Sequence, residues 1–134
     1  MNKMNKKMEY ALMAVKIMDQ KPMGTLTTAK EVSDQMHISF EATARVLQAL
    51  SSRGLLKAEY GVGGGYSLSK SLAEVSIHDL AEMLEEHTHL TKCLTAEDSC
   101  EVAGTCNIVL PINKLNQKIQ SFYKSISLHE VLYV

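Results

Sequence analysis

Nowhere does an apolar run approach the roughly 18–20 residues that span a bilayer, so no membrane-crossing helix and no membrane partner are expected. The opening "MNKMNKKMEYALMAVKIM" is basic and then apolar, yet it lacks a small-residue cleavage site, and Glu9, Lys16 and Asp19 interrupt its apolar character. It reads as a helix and not as a signal peptide. The cytoplasm is then the expected compartment, where stable disulfides do not persist. Internal repeats and low-complexity linkers are also missing. No nucleophile–base set stands out, and "GVGGG" (Gly61 to Gly65) is not followed by a helix, as a dinucleotide fingerprint requires. Neither an enzyme nor a small-molecule substrate is expected. Cysteine is scarce: the three in the chain all fall in "KCLTAEDSCEVAGTC", at Cys93, Cys100 and Cys106. An odd number leaves one thiol outside any disulfide framework.

What is present fits one domain or a small domain with an appendage: 134 residues, 46% of them hydrophobic. Charge is unevenly spread. Residues 1–70 hold ten Lys/Arg against six Asp/Glu (net +4), and residues 71–134 hold four against nine (net −5). A basic front and an acidic back suggest a polyanion-binding module joined to something else.

Met8, Ala11, Leu12, Val15 and Met18 recur at helical spacing, which predicts a first helix from about Lys3 to Asp19. "KPMG" breaks it. Thr28 with Glu31 forms a capping-box pattern for a short second helix whose buried stripe is Ala29, Val32 and Met36. "HIS" (His37 to Ser39) is a tight turn, and Ser39 caps a third helix with Phe40, Thr43, Val46, Leu47 and Leu50 inward and Gly54 as its stop. Leu55–Tyr60 and Tyr66–Lys70 read as two strands joined by the glycine run. Helix, turn, helix and hairpin in that order make a winged helix-turn-helix. Ser76 and Asp79 open a further helix with Ile77, Leu80 and Leu84 on one face.

Past the cysteines, Ile108, Ile112, Leu115, Ile119, Phe122 and Ile126 step by four and three, a heptad seam with Pro111 in the first turn of its helix. So narrow a seam needs a partner helix, and the same helix of a second subunit is expected, giving a homodimer. The fold class is therefore mainly α with a small β-hairpin wing and a long C-terminal dimerisation helix. The expected layout is a DNA-binding domain at 1–75, a helix and cysteine-bearing effector loop at 76–106, and a dimerisation helix and tail at 107–134.

Double-stranded DNA is the expected partner. Ser39, Glu41, Arg45 and Gln48 fall on the outward face of the third helix, and Arg and Gln are suited to guanine and adenine edges. Arg53, Lys57 and Lys70 are placed to neutralise phosphates, which fixes register without reading sequence. Thr28 at the second helix's cap and Tyr60, Val62 and Gly63 at the wing tip complete the expected surface.

The cysteine spacing, C-x6-C-x5-C, lacks the short knuckle and the fourth ligand of usual zinc sites. No lysine or arginine lies between Cys93 and Cys106 to depress a thiol pKa for catalysis. Free thiols, zinc, a thiol redox switch and an iron–sulfur cluster all remain open on spacing alone.

With wing and cysteines both in view, the chain resembles the IscR/NsrR/RirA-type family of iron–sulfur winged-helix transcriptional regulators. The resemblance rests on "KKMEYALMA", on "ISFEATARVLQALSSRGLLKAEYGVGGGYSLSK", on the cysteine triplet and on "SISLHEVL". It implies a dimeric regulator sensing redox, iron or nitric oxide status through a 2Fe–2S or 4Fe–4S cluster. Cys93, Cys100 and Cys106 would be ligands, and Glu9 in "MEYAL" matches the position from which some members supply an acidic fourth ligand across the dimer. His89 competes with Glu9 for that role, while His37, His78, His87 and His129 read as ordinary polar positions. Three departures stand out: Val109 where some members have a histidine ligand, Tyr60 and Val62 where relatives carry Arg and Pro in the wing, and Glu41, Ala42 and Ala44 in the recognition helix. The alternative from another class is a cluster-independent repressor with a thiol switch or a zinc site.

Overall fold

Asn5 sets where the first helix begins, in a computed structural model that describes residues 4–86, 101–102 and 104–134. Its side chain accepts the Met8 N–H at 3.0 Å, satisfying a backbone donor that has no partner within the helix. Helix α1 therefore runs over Lys6–Asp19, starting later than the expected Lys3. Its five spaced apolar residues from Met8 to Met18 are buried. Helix α2 (Ala29–Met36) is capped by Thr28, whose hydroxyl accepts the Glu31 N–H at 3.0 Å. The reciprocal half of the expected capping box is replaced: the Glu31 carboxylate binds Lys21 and ties the preceding loop to α2. His37 closes α2 in the left-handed region at φ 56°.

Helix α3 (Phe40–Ser52) begins at Ser39, which accepts the Ala42 N–H at 3.2 Å. Thr43, Val46, Leu47 and Leu50 are buried as expected. Phe40 and Met36 are not: both are exposed, Phe40 at 53%. They sit at the ends of α3 and α2, where the helical stripe runs on past the core that the neighbouring helices supply. Strands β1 (Leu56–Glu59) and β2 (Gly65–Leu68) pair antiparallel, with Leu56 opposite Leu68 and Glu59 opposite Gly65. Each is shorter than its expected span. Gly64 makes the turn between them possible, since a Cβ there would lie 2.2 Å from the Glu59 carbonyl oxygen. Tyr66 also exchanges two 2.8 Å backbone hydrogen bonds with Thr27, next to the α2 cap, so the hairpin is fastened to the helix-turn-helix.

A 3-10 turn at Leu72–Glu74 leads to α4 (Ile77–Met83), whose capping box between Ser76 and Asp79 is complete. Helix α5 (Val109–Ser125) follows, then a short α6 (Leu128–Leu132) that sequence reasoning missed. Ser127 caps α6 by accepting the Glu130 N–H at 3.1 Å; the S-x-x-E spacing of Ser127 and Glu130 is the signal that would have revealed it. The α6 entrance is anchored to the α4 entrance, Leu128 N–H donating to Val75 O at 2.8 Å and Ile77 N–H to Ile126 O at 3.0 Å. One buried cluster joins Val15 of α1, Val32 of α2, Leu47 of α3, Leu80 of α4 and Leu128 of α6. No described helix is long and apolar enough to cross a membrane.

Candidate DNA interface and thiol site

At 3.6 residues per turn, Glu41, Arg45 and Gln48 fall within a sector of about 60° on α3. All three are exposed, opposite the buried stripe, with Ser39 exposed at the cap. Thr28 is exposed too, although its hydroxyl is committed to the α2 cap. Lys57 projects from β1, and Lys70 is exposed just past β2. Tyr60, Val62 and Gly63 stand in solvent at the wing tip. Arg53 is already engaged, its guanidinium 3.6 Å from the Glu85 carboxylate. All eleven residues expected to face DNA are therefore on the surface.

Sequence reasoning misplaced one residue of α3. Phe40, placed inward by periodicity, opens the recognition helix as an exposed aromatic beside Glu41. Its first-turn position, off the centre of the buried stripe, was the available signal. Farther along, burial pushes the Tyr66 hydroxyl above its ordinary pKa, and Tyr60 adds to the shift.

Cys106 is a half-buried free thiol ahead of α5. Cys93, Cys100, His87 and His89 lie outside the described residues. Glu9 is exposed in the first turn of α1 and forms no ion pair among the described residues. Among those residues no group of three or more His, Cys, Asp or Glu is gathered as a metal site. The other histidines have local roles: His37 closes α2, His78 faces Glu82 at 3.9 Å, and His129 stacks on Tyr133 at 4.9 Å between centroids.

The heptad seam is divided. Ile112, Ile119 and Ile126 are half-buried, while Ile108, Leu115 and Phe122 are exposed. Helix α5 packs on α4, and its one buried residue is Asn116, about 80° around the helix from Ile108. The face toward the chain's own core is thus rotated away from the seam. Half of the seam borders the intramolecular contact, and the other half is an apolar stripe left uncovered among the described residues.

The family model for Rrf2, described as an iron-dependent transcriptional regulator, matches residues 4–133. An HTH-type transcriptional regulator of Haemophilus influenzae is 29% identical over 130 residues, covering 97% of this chain and 86% of that protein. Among solved structures, CymR, the global cysteine regulator of B. subtilis, is similar with a TM-score of 0.72 at 22% identity, over 98% of this chain and 97% of that one. IscR of T. potens is similar with a TM-score of 0.67 at 20% identity, over 98% of this chain and 86% of that one. These likenesses agree with the mainly helical winged fold described above.

Proposed function

This chain belongs to the Rrf2 family of transcriptional regulators, and on that premise we propose that it works as a homodimer whose grip on DNA is set by an iron–sulfur cluster. Membership makes it a DNA-binding regulator and not an enzyme. The finer reading concerns what it senses: redox, iron or nitric oxide status. Cys93, Cys100 and Cys106 would supply three thiolates to a 2Fe–2S or 4Fe–4S cluster, with Glu9 of the partner subunit as the fourth ligand.

The described members of that donor set fit such a group. Cys106 is an uncommitted thiol and Glu9 an exposed carboxylate without an ion-pair partner among the described residues, so neither would have to break an existing ion pair or disulfide to ligate. Thiolates are the usual holders of iron–sulfur clusters, and a carboxylate is a more readily exchanged iron ligand than a thiolate. When bound, the cluster supplies a redox-active, destructible link.

The observation that carries the reading is the place of Cys106, two residues before Ile108, where the exposed apolar stripe of α5 begins. A ligand so close to the dimer face feels any change in how two subunits meet. The partner's Glu9 stands on α1, which packs directly on α3. Releasing Glu9 or Cys106 therefore changes the relative placement of the two recognition helices. DNA affinity shifts only by as much as ligation favours one placement over the other. At the DNA, Ser39, Glu41, Arg45 and Gln48 read base edges; Arg53, Lys57 and Lys70 hold phosphates; and Thr28, Tyr60, Val62 and Gly63 complete the surface.

Anaerobic purification tests this. A brown protein whose visible absorption disappears in Cys106→Ser, with operator affinity changing in step, is the expected result. An iron-free protein after anaerobic reconstitution refutes the reading. So does operator affinity that is identical for wild type and a variant with serine at all three cysteine positions.

A further inference from the structure

A cleft of about 470 Å³ opens between the first turn of α1, one flank of α3 and the end of α4. Its depth has a simple cause. Ala42 and Ala49, two turns apart on α3, present only methyl groups there, and buried Leu84 helps to close the floor. Four cations line the same cleft: Lys6 and Lys7 from α1, Arg45 and Arg53 from α3. Lys7 lies 3.5 Å from Glu86, and Arg53 lies 3.6 Å from Glu85. Lys6 and Arg45 have no carboxylate within ion-pair reach among the described residues. The cleft thus combines an apolar floor with surplus positive charge on two different helices.

Glu85 is the unusual member. It sits in the left-handed region at φ 58°, where residues with a side chain are uncommon and which glycine usually fills after a helix. The following Glu86 N–H donates to Ala81 O at 2.8 Å, closing the end of α4. The result holds a carboxylate at the cleft edge, against Arg53. Strained backbone of this kind concentrates at ligand clamps and switches.

We propose that this cleft binds a small organic anion, a carboxylate or sulfonate on an apolar body, and that Glu85 is its built-in competitor for Arg53. An apolar floor ringed by a few charged groups is the usual composition of a small-ligand site, and the methyl-lined floor gives a bare phosphate nothing to contact. The ligand touches α1, α3 and the end of α4 together, so its binding biases where the recognition helix sits. This effector site does not depend on the cluster.

The test is a fluorescence titration of the full chain with 8-anilinonaphthalene-1-sulfonate, which joins a sulfonate to an apolar ring system. One saturable site is expected. Lys6→Gln should weaken it about threefold to fivefold, and Glu85→Gln should tighten it by a similar factor, as expected for single, partly solvated charges. Ala49→Phe should fill the cleft and abolish binding, with the melting curve confirming a folded chain. A merely structural Glu85 would not give tightening. A signal that none of the three substitutions changes places the probe elsewhere, for instance on the exposed stripe of α5, and overturns the proposal. Lys6→Gln that weakens duplex DNA binding and lowers its salt dependence, while probe affinity stays constant, makes the cleft a phosphate contact and also overturns it.

Discussion

Helices α3 and α5 carry comparable apolar stripes, and the same chain treats them in opposite ways. In the 13 residues of α3, four successive inward positions, Thr43, Val46, Leu47 and Leu50, are buried. In the 17 residues of α5 only Asn116 is, at 3% exposure, while Leu115 beside it is 47% exposed and Phe122 is 59% exposed. The difference lies in what surrounds them. α3 is packed by α1, α2 and β1, whereas α5 leans mainly on α4, along a face rotated from its stripe. An apolar stripe therefore records what a helix can bury; whether one chain supplies the cover depends on its neighbours. Helix α3 sits in a core that α1, α2, α4 and α6 all help to build, while α5 leaves an apolar stripe exposed among the described residues.

The contrast makes predictions that can be ranked. Leu47→Ala should destabilise the fold by about 2–5 kcal/mol, because it empties a fully buried site. Denaturant melts should show the loss at every protein concentration. Leu115→Asp with Phe122→Asp should leave the unfolding free energy of an isolated chain within about 0.5 kcal/mol, as surface changes do. It should nonetheless reduce sedimentation to the mass of one chain and remove the concentration dependence of Tm. A variant that still sediments as a dimer would show that α5 is not the assembly face. Thr28→Ala should cost about 1 kcal/mol by leaving the first turn of α2 uncapped, and should leave the oligomeric state unchanged.

The smallest effect belongs to the C-terminal clasp. Tyr133 donates to Asp19 at 2.7 Å, with Lys16 over its ring. Burial first, and then the Asp19 hydrogen bond and charge, raise its pKa to about 12. Because the folded value lies above the ordinary 10, the contribution is fully present below pH 10 and disappears as pH climbs through about 12. Tyr133→Phe should delete the highest-pH component of the tyrosinate absorbance titration and barely move Tm at neutral pH.

Much of this was legible in the residues. Thr28, Ser39 and Ser76 cap the helices that their positions imply, and Gly54, at φ +88°, follows α3 as expected. Local chemistry decides such features, so local pattern reveals them. The misses share one cause: they depend on neighbours distant in sequence. Phe40 and Met36 continue a stripe that the core does not reach. Glu31 reaches the loop before α2 and binds Lys21, ten residues back, where a capping box would keep it at home. The seam of α5 is split by how the helix leans on α4, which no periodicity encodes. For the candidate site, the exposed face of α3 and the wing could be read ahead. The cleft could not, since it gathers side chains from three separated helices.

The two short hydrogen bonds between Thr27 and Tyr66 have a consequence for the duplex itself. They tie the hairpin to the entrance of α2, which packs on α3, so that wing and helix-turn-helix form one caliper with a preset gap. A binding site whose grooves are spaced differently must then supply the distortion itself, so stiff and pliable base steps that the protein never touches will be sorted by the gauge of its jaws.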